Sequence, residues 1–171
     1  KHTPEKVLPL LHKVVESAKE EYADAVANGG GIYGVGYCFG AKYILMLSSE
    51  LPDTVAWGQE APKDVEQGTV KKEPVLRAGA IAHPTMTTKE DLEAVKSPVY
   101  IAAVKDDPMF SEDDALTPGR RTMEANKVEH EIQVFAGVPH GFAVYGDYED
   151  AKIKQSQAQA FGQMLGWIQS H

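Results

Sequence analysis

The sequence predicts an α/β fold, a mostly parallel sheet flanked by helices. Short apolar runs alternate along the chain with longer segments whose apolar residues recur at helical spacing. Each of the four strand-type runs is followed by a helical segment, and that alternation is typical of parallel sheets with helices on both faces. A length of 171 residues suits one domain. We therefore interpret residues 1–171 as a single α/β domain.

The helices are predicted from apolar periodicity and from the residues that begin and end each segment. Thr3 is the expected N-cap of the first helix, with Pro4 in its first turn, and the glycines at 29–31 end it. Thr87 and Glu90 form a capping-box pattern at the start of the third. The predicted helices are 5–28, 39–51, 87–95, 117–127 and 149–169.

The strands are predicted from short apolar runs between turn residues. The run VYIAAV, which follows Pro98, is typical of a fully buried strand. The polar segment 58–74 lacks periodicity and is expected to be a surface loop or insertion, and 136–147 is expected to be a loop. The predicted strands are 32–36, 75–83, 99–104 and 129–136.

Composition excludes several classes of partner. A formal net charge of −8, from 17 basic and 25 acidic residues, argues against nucleic acid and against an anionic membrane surface. No apolar run approaches the roughly 20 residues that span a bilayer. One cysteine excludes an intramolecular disulfide, and with no signal-peptide pattern we expect a cytoplasmic protein. The chain begins with Lys1, so we expect a processed or truncated piece. No oligomeric state is predicted.

The most informative motif is Gly36-Tyr37-Cys38-Phe39-Gly40, which lies between a predicted strand and a predicted helix. It has the G-x-C-x-G form of a nucleophile elbow, where a tight turn lifts the side chain above the sheet and the neighbours must be small. The helix dipole there favours the thiolate, and the Phe39 N–H can donate to an oxyanion. The alternative is that Cys38 is a buried core thiol.

Two further segments supply the partners that a cysteine nucleophile needs. Asp106 and Asp107 follow the strand at 99–104, where an acid can orient a histidine, although Asp-Pro sequences also begin turns. His140 lies between Pro139 and Gly141 after the last strand. The chain order Cys38, Asp107, His140 is the nucleophile–acid–base order of α/β-hydrolases.

These roles predict a thioester mechanism. His140 takes the thiol proton, Asp107 orients the imidazole, and Cys38 attacks an ester or lactone carbonyl, after which water hydrolyses the thioester. No metal and no cofactor is expected, because no His/Cys cluster has metal-ligand spacing. His83, at the end of its strand, either lines the pocket or caps the following turn. The other candidate pocket residues are Tyr37, Phe110, Phe142 and Tyr145.

At these residues the chain resembles the dienelactone hydrolase family, most closely its fungal-type members. The matching segments are VGYCFGAKY, AHP, DDPMF and PHGFAV, and the resemblance covers essentially the whole chain. It implies Cys38 as nucleophile, His140 as base and Asp107 as acid, with Asp106 as the alternative acid. Asp107 is preferred because the family's aspartate is followed three residues later by an apolar residue, as Phe110 follows here.

The resemblance also implies two differences from typical members. Family members are longer at the N-terminus, and that part would supply the first strands and the second oxyanion N–H. The chain is therefore expected to be an N-terminally truncated α/β-hydrolase domain that the missing segment completes. Members that act on dienelactone place an arginine a few residues beyond the histidine. Here the stretch between His140 and Lys152 contains no positively charged residue. An uncharged ester or lactone is the expected substrate, within the carboxymethylenebutenolidase type of activity.

Two other functions are consistent with the sequence. A class I glutamine amidotransferase-like enzyme also carries cysteine on a strand–helix turn, but usually has an acid two residues after its histidine, where this chain has Phe142. A catalytically inactive hydrolase-like binding module fits a truncated chain, although all three triad residue types are present.

Overall fold

The computed structural model describes residues 2–50, 73–144 and 146–171. Within those ranges the alternation of strands and helices predicted from the sequence is confirmed, and the fold is α/β. Most of the predicted loop over 58–74 and the candidate pocket residue Tyr145 lie outside the described residues.

Within the described ranges, four parallel strands form the sheet. They are β1 (Tyr33–Tyr37), β2 (Ala78–Ala82), β3 (Val99–Val104) and β4 (His130–Phe135), and they pair in chain order β1-β2-β3-β4. Every residue of β2 and β3 is buried, whereas β1 and β4 are partly exposed. The prediction of a fully buried strand is confirmed for VYIAAV, which is β3, whereas the run at 32–36, also expected to be fully buried, forms β1 with Val35 exposed.

The helices are α1 (Pro4–Glu21), α2 (Phe39–Leu47), α3 (Lys89–Glu93), α4 (Thr117–Ala125) and α5 (Ala151–Ser170). α1 ends before the predicted residue 28, and short turns over Ala23–Ala25 and Val26–Gly30 lead into the sheet. The capping box of α3 uses Thr88 and Asp91, so the predicted pair Thr87 and Glu90 was wrong by one residue. A π-helical turn, Glu112–Leu116, precedes α4.

Two apolar cores lie on opposite faces of the sheet. On one face, Leu45 of α2, Leu92 of α3 and Met123 of α4 pack against alternate residues of β2 and β3. On the other face, Met164 of α5 packs against the remaining side chains, including Tyr100. Because successive residues of a strand point to opposite faces, these central strands contribute to both cores. The domain is a three-layer sandwich with a parallel sheet in the middle.

In the described part of the chain, no helix combines the length and the apolar character that crossing a bilayer requires.

Candidate active site

Cys38 occupies a strained turn between β1 and α2. Its backbone has φ 50° and ψ −118°, a conformation that L-residues rarely adopt. Three backbone hydrogen bonds hold it: the Cys38 N–H donates to the Ala82 carbonyl at 3.1 Å, and the Cys38 carbonyl accepts from the N–H groups of Ala41 at 3.1 Å and Thr85 at 3.3 Å. The turn therefore has the backbone strain expected of a nucleophile elbow.

Glycine is needed on only one side of this turn. A Cβ on Gly36 would lie 2.8 Å from the Gly40 carbonyl oxygen and 2.6 Å from Ile44 Cγ1, so α2 crosses too close to β1 for a side chain there. A Cβ on Gly40 would meet no described atom within 4 Å. The sequence argument that both neighbours must be small therefore holds for Gly36 alone.

His140 lies within hydrogen-bonding distance of both Cys38 and Asp107. Its Nε2 is 3.3 Å from Cys38 Sγ, and its Nδ1 is 2.8 Å from Asp107 Oδ2. Since a carboxylate only accepts hydrogen bonds, Nδ1 carries a proton and Nε2 faces the thiol. The loop that holds this ring turns at Gly141, which has φ 89°. Three side chains separated widely in sequence thus form one line of contacts.

The two consecutive aspartates have opposite environments. Asp107 has a side chain with no exposed surface, and its Oδ1 accepts the Met109 N–H at 2.9 Å. Asp106 has φ 57° and a side chain that is 85% exposed, 3.8 Å from Lys105 Nζ. The left-handed turn at Asp106 directs its side chain to solvent and the next one inward. It is therefore Asp107 that lies beside His140.

His83 lies beside the same group. It is fully buried at the end of β2, its ring centroid is 5.1 Å from that of His140, and neither ring nitrogen has a hydrogen-bond partner among the described residues. The alternative in which its side chain caps the following turn therefore has no hydrogen bond to support it. Burial, and then the neighbouring charge of His140, lowers the pKa of His83 to about 4. Its imidazole is neutral at neutral pH.

The remaining candidate pocket residues divide between the two faces of the sheet. The rings of Tyr37 and Phe142 lie 5.9 Å and 6.0 Å from His83, and burial raises the pKa of the Tyr37 phenol. Phe110 is only 2% exposed and packs in the core on the opposite face, with Leu92. The structure brings Tyr37, His83 and Phe142 together and leaves Phe110 apart from them.

The Phe39 N–H lies at the first residue of α2, directly after the thiol. Backbone N–H groups in the first turn have no acceptor inside their helix, so this donor is available to a ligand at the elbow. The same helix terminus carries a partial positive charge, which favours an anion beside Cys38.

The spacing of residues along the sequence does not predict one feature of this site. The sequence predicts no metal ligands, yet the ligand atoms of Cys38, His83 and His140 all lie within 4.8 Å of one another. They come from three different loops, so no short motif records them. The only signal in the sequence is that His83 and His140 both follow predicted strands, which places them at one edge of a parallel sheet.

Comparisons with known proteins agree with the fold. Hydrolase tropI of Talaromyces stipitatus is 25% identical over 170 residues, which cover 99% of this chain and 56% of the relative. Dienlactone hydrolase 1 of Gibberella moniliformis is 25% identical over 160 residues, which cover 93% of this chain and 51% of the relative. The chain thus spans about half the length of these curated relatives.

Among solved structures, the dienelactone hydrolase-like promiscuous phosphotriesterase P91 from metagenomic libraries superposes with a TM-score of 0.55 at 16% identity. That superposition covers 94% of this chain and 66% of P91, and it supports an α/β-hydrolase fold. The sequence model of the dienelactone hydrolase family matches residues 1–171. The resemblance inferred from the elbow and the histidine loop is thereby confirmed, and the chain belongs to the dienelactone hydrolase family.

Proposed function

We propose that the protein hydrolyses carboxylic esters or lactones with Cys38 as nucleophile, His140 as general base and Asp107 as the acid that orients it. The observation that carries the proposal is the line of contacts from Cys38 Sγ to His140 Nε2, at 3.3 Å, and from His140 Nδ1 to Asp107 Oδ2, at 2.8 Å. Membership of a hydrolase family supports the same reaction class.

The reaction follows from those contacts. His140 Nε2 accepts the thiol proton, and Cys38 Sγ adds to the carbonyl carbon. The Phe39 N–H stabilises the oxyanion, and His140 protonates the leaving alcohol, or the ring oxygen of a lactone. Water, deprotonated by His140, then cleaves the thioester and returns Cys38 to its thiol form. Asp107 stabilises the imidazolium in both halves of the reaction.

An uncharged substrate fits the surroundings of the thiol best. The neighbouring rings of Tyr37, His83 and Phe142 are neutral at neutral pH, and the stretch that follows His140 has no lysine or arginine before Lys152. A substrate carboxylate would find no cation in that stretch. We therefore propose a neutral ester or lactone as the substrate class.

Trapping the acyl-enzyme tests this proposal. We expect p-nitrophenyl acetate to release p-nitrophenol and to leave one acetyl group on the peptide that contains Cys38, as read by mass spectrometry. Cys38→Ala should abolish the acetylation. Cys38→Ser, which keeps the shape of the elbow, should retain the fold and acylate far more slowly.

The competing function is a hydrolase-like binding module without activity. It predicts no acetylation of Cys38 in a folded protein, and that result would overturn our proposal. An amidotransferase would instead release ammonia from glutamine, which the same samples can be assayed for.

A further inference from the structure

We propose that Cys38, His83 and His140 form a binding site for a soft divalent cation of the zinc class, and that the bound ion blocks the thiol. The proposal goes beyond ester hydrolysis, because it concerns what the three side chains bind when no substrate is present. It assigns a role to His83, which takes no part in the proposed reaction.

The spacing of the three ligand atoms is close to what zinc requires. Zinc binds thiolate sulfur at about 2.3 Å and imidazole nitrogen at about 2.0–2.1 Å in a tetrahedron, so bound sulfur and nitrogen atoms lie roughly 3.5 Å apart. Cys38 Sγ and His140 Nε2 are already 3.3 Å apart, and His83 offers a nitrogen within 4.8 Å of both. A shift of roughly 1 Å by the His83 ring completes the triangle.

His83 has buried ring nitrogens that a cation could bind. Its side chain is fully buried, and both ring nitrogens are without a hydrogen-bond partner in the ranges that the structure describes. A buried polar group left in that condition destabilises the fold by about 1–3 kcal/mol. A cation held between His83, His140 and Cys38 would satisfy one of those nitrogens.

Asp107 supplies the outer contact that metal-binding histidines usually have. A ligating histidine almost always donates its other ring N–H to a carboxylate or a carbonyl, which fixes the tautomer and makes the ligand nitrogen more basic. His140 makes this bond from Nδ1 to Asp107 at 2.8 Å, and its Nε2 faces Cys38. The contact that prepares His140 to accept a thiol proton therefore also prepares it to bind a cation.

Binding involves no redox change and one proton. The Cys38 thiol loses its proton to solvent, the thiolate and two neutral imidazoles each donate a lone pair, and water completes the fourth position. The ion would occupy the thiolate lone pair and the His140 nitrogen together. Hydrolysis would stop, and a chelator would restore it.

Cadmium titration tests the site without any measurement of hydrolysis. Cadmium bound to thiolate absorbs in the ultraviolet, and we expect the wild-type protein to show this band at one ion per chain. His83→Phe, which retains ring volume without a ligand atom, should bind at least about tenfold more weakly, since losing even an outer contact weakens metal affinity about 10- to 100-fold. Cys38→Ala should lose the band, and His12→Gln, at a partly exposed histidine of α1 outside the three-ligand group, should bind like wild type.

A second measurement uses only the wild-type protein, so it does not depend on the folding of any variant. In ¹H–¹⁵N spectra of the imidazole rings, zinc should shift the ring nitrogens of two histidines, His83 and His140. Shifts at His140 alone, equal cadmium affinity in the wild type and His83→Phe, or no thiolate band would each overturn the proposal. Because none of these readouts requires turnover, a failed metal site and a failed hydrolase are distinguishable.

Discussion

Asp106 and Asp107 are adjacent in sequence, yet only one contacts His140. The Asp107 carboxylate is enclosed and bonds to Nδ1 at 2.8 Å, whereas the Asp106 side chain is 85% exposed. An asparagine in place of Asp107 would present an amide to Nδ1, which no longer favours the tautomer that leaves Nε2 free to take the thiol proton.

We therefore predict that Asp107→Asn lowers the rate of Cys38 acetylation by about 10²- to 10⁴-fold, in line with the loss of an orienting carboxylate in serine hydrolases. Asp106→Asn is the matched control and should act like wild type. Stopped-flow release of p-nitrophenol measures both variants. Equal rates for the two would show that Asp107 does not orient the base.

His83 makes the stability of the protein depend on pH. Its folded pKa of about 4 lies below the ordinary 6.5, because burial and the nearby His140 disfavour its charged form. Above pH 6.5 the ring is neutral in both states. As the pH falls from 6.5 towards 4, the unfolded chain binds a proton that the folded one does not, so the free energy of unfolding decreases, by up to about 3 kcal/mol.

Urea unfolding in EDTA at several pH values measures this dependence. We predict that His83→Phe loses less stability than the wild type across this pH window, whatever the difference between the two proteins at neutral pH. His140 and Asp107, which face His83, are present in both proteins, so the comparison isolates the effect of removing the His83 imidazole. If the free energy of unfolding falls equally with pH in the two proteins, His83 is not the source of the pH dependence.

At the scale of elements, the elbow depends on how closely α2 crosses β1. A methyl group at Gly36 would meet the Gly40 carbonyl oxygen at 2.8 Å, and that backbone atom cannot move without distorting the first turn of α2. Gly40 itself has open space at its Cβ position among the described residues. The two glycines of one motif therefore carry different constraints.

We predict that Gly36→Ala destabilises the protein by about 1–3 kcal/mol, as overpacking usually does, and slows acetylation of Cys38. Gly40→Ala should be neutral or slightly stabilising, because alanine favours a helix over glycine by about 0.5–1 kcal/mol. Thermal unfolding separates the two variants. An equal loss of stability in both would mean that the elbow does not depend on this close approach.

Sequence patterns predicted the elements better than their ends. β3 was predicted at 99–104 and lies at Val99–Val104. Its ends were predictable because Pro98 precedes the strand and the apolar run has the same length as the strand. The capping box at α3 was displaced by one residue, since Thr87 and Thr88 both have suitable partners three residues on, and only packing chooses between them. The early end of α1 depends on the turns at 23–30, which helical periodicity does not record.

At the scale of the whole molecule, β1 lies beside an apolar groove. The groove has a volume of about 110 Å³ and lies between β1 and α5. Val35, Phe161 and Leu165 line it and are 49%, 61% and 45% exposed. Among the described residues, β1 pairs only with β2. Exposed apolar side chains grouped in one groove favour contact with a further polypeptide segment.

We predict that a protein of these 171 residues self-associates through this groove as its concentration rises, and that Val35→Lys reduces the association by placing a charge among the apolar side chains. Leu10→Lys, which changes another exposed apolar residue, on α1, is the control. Sedimentation velocity over a range of concentrations measures the effect. A wild-type protein that stays monomeric throughout would contradict the prediction.

The site was predicted in part because chain order constrains it. Parallel strands bring their carboxyl ends to one edge, so Cys38, Asp107 and His140 were expected together, and their side chains are in contact. The position of His83 beside them depends on how the β2 loop turns, including its φ of 36°, and no spacing rule encodes that. Phe110 was expected near the thiol from its place in the DDPMF segment, but packing draws it into the opposite core.

The strands pair in the same order in which they follow one another along the chain. This order also determines when Asp107 and His140 are synthesised relative to Cys38. Cys38 follows β1, Asp107 follows β3 and His140 follows β4, so the ribosome delivers His140 last of the three. On the mechanism that we propose, a nascent chain therefore carries the nucleophile well before the base that would activate it.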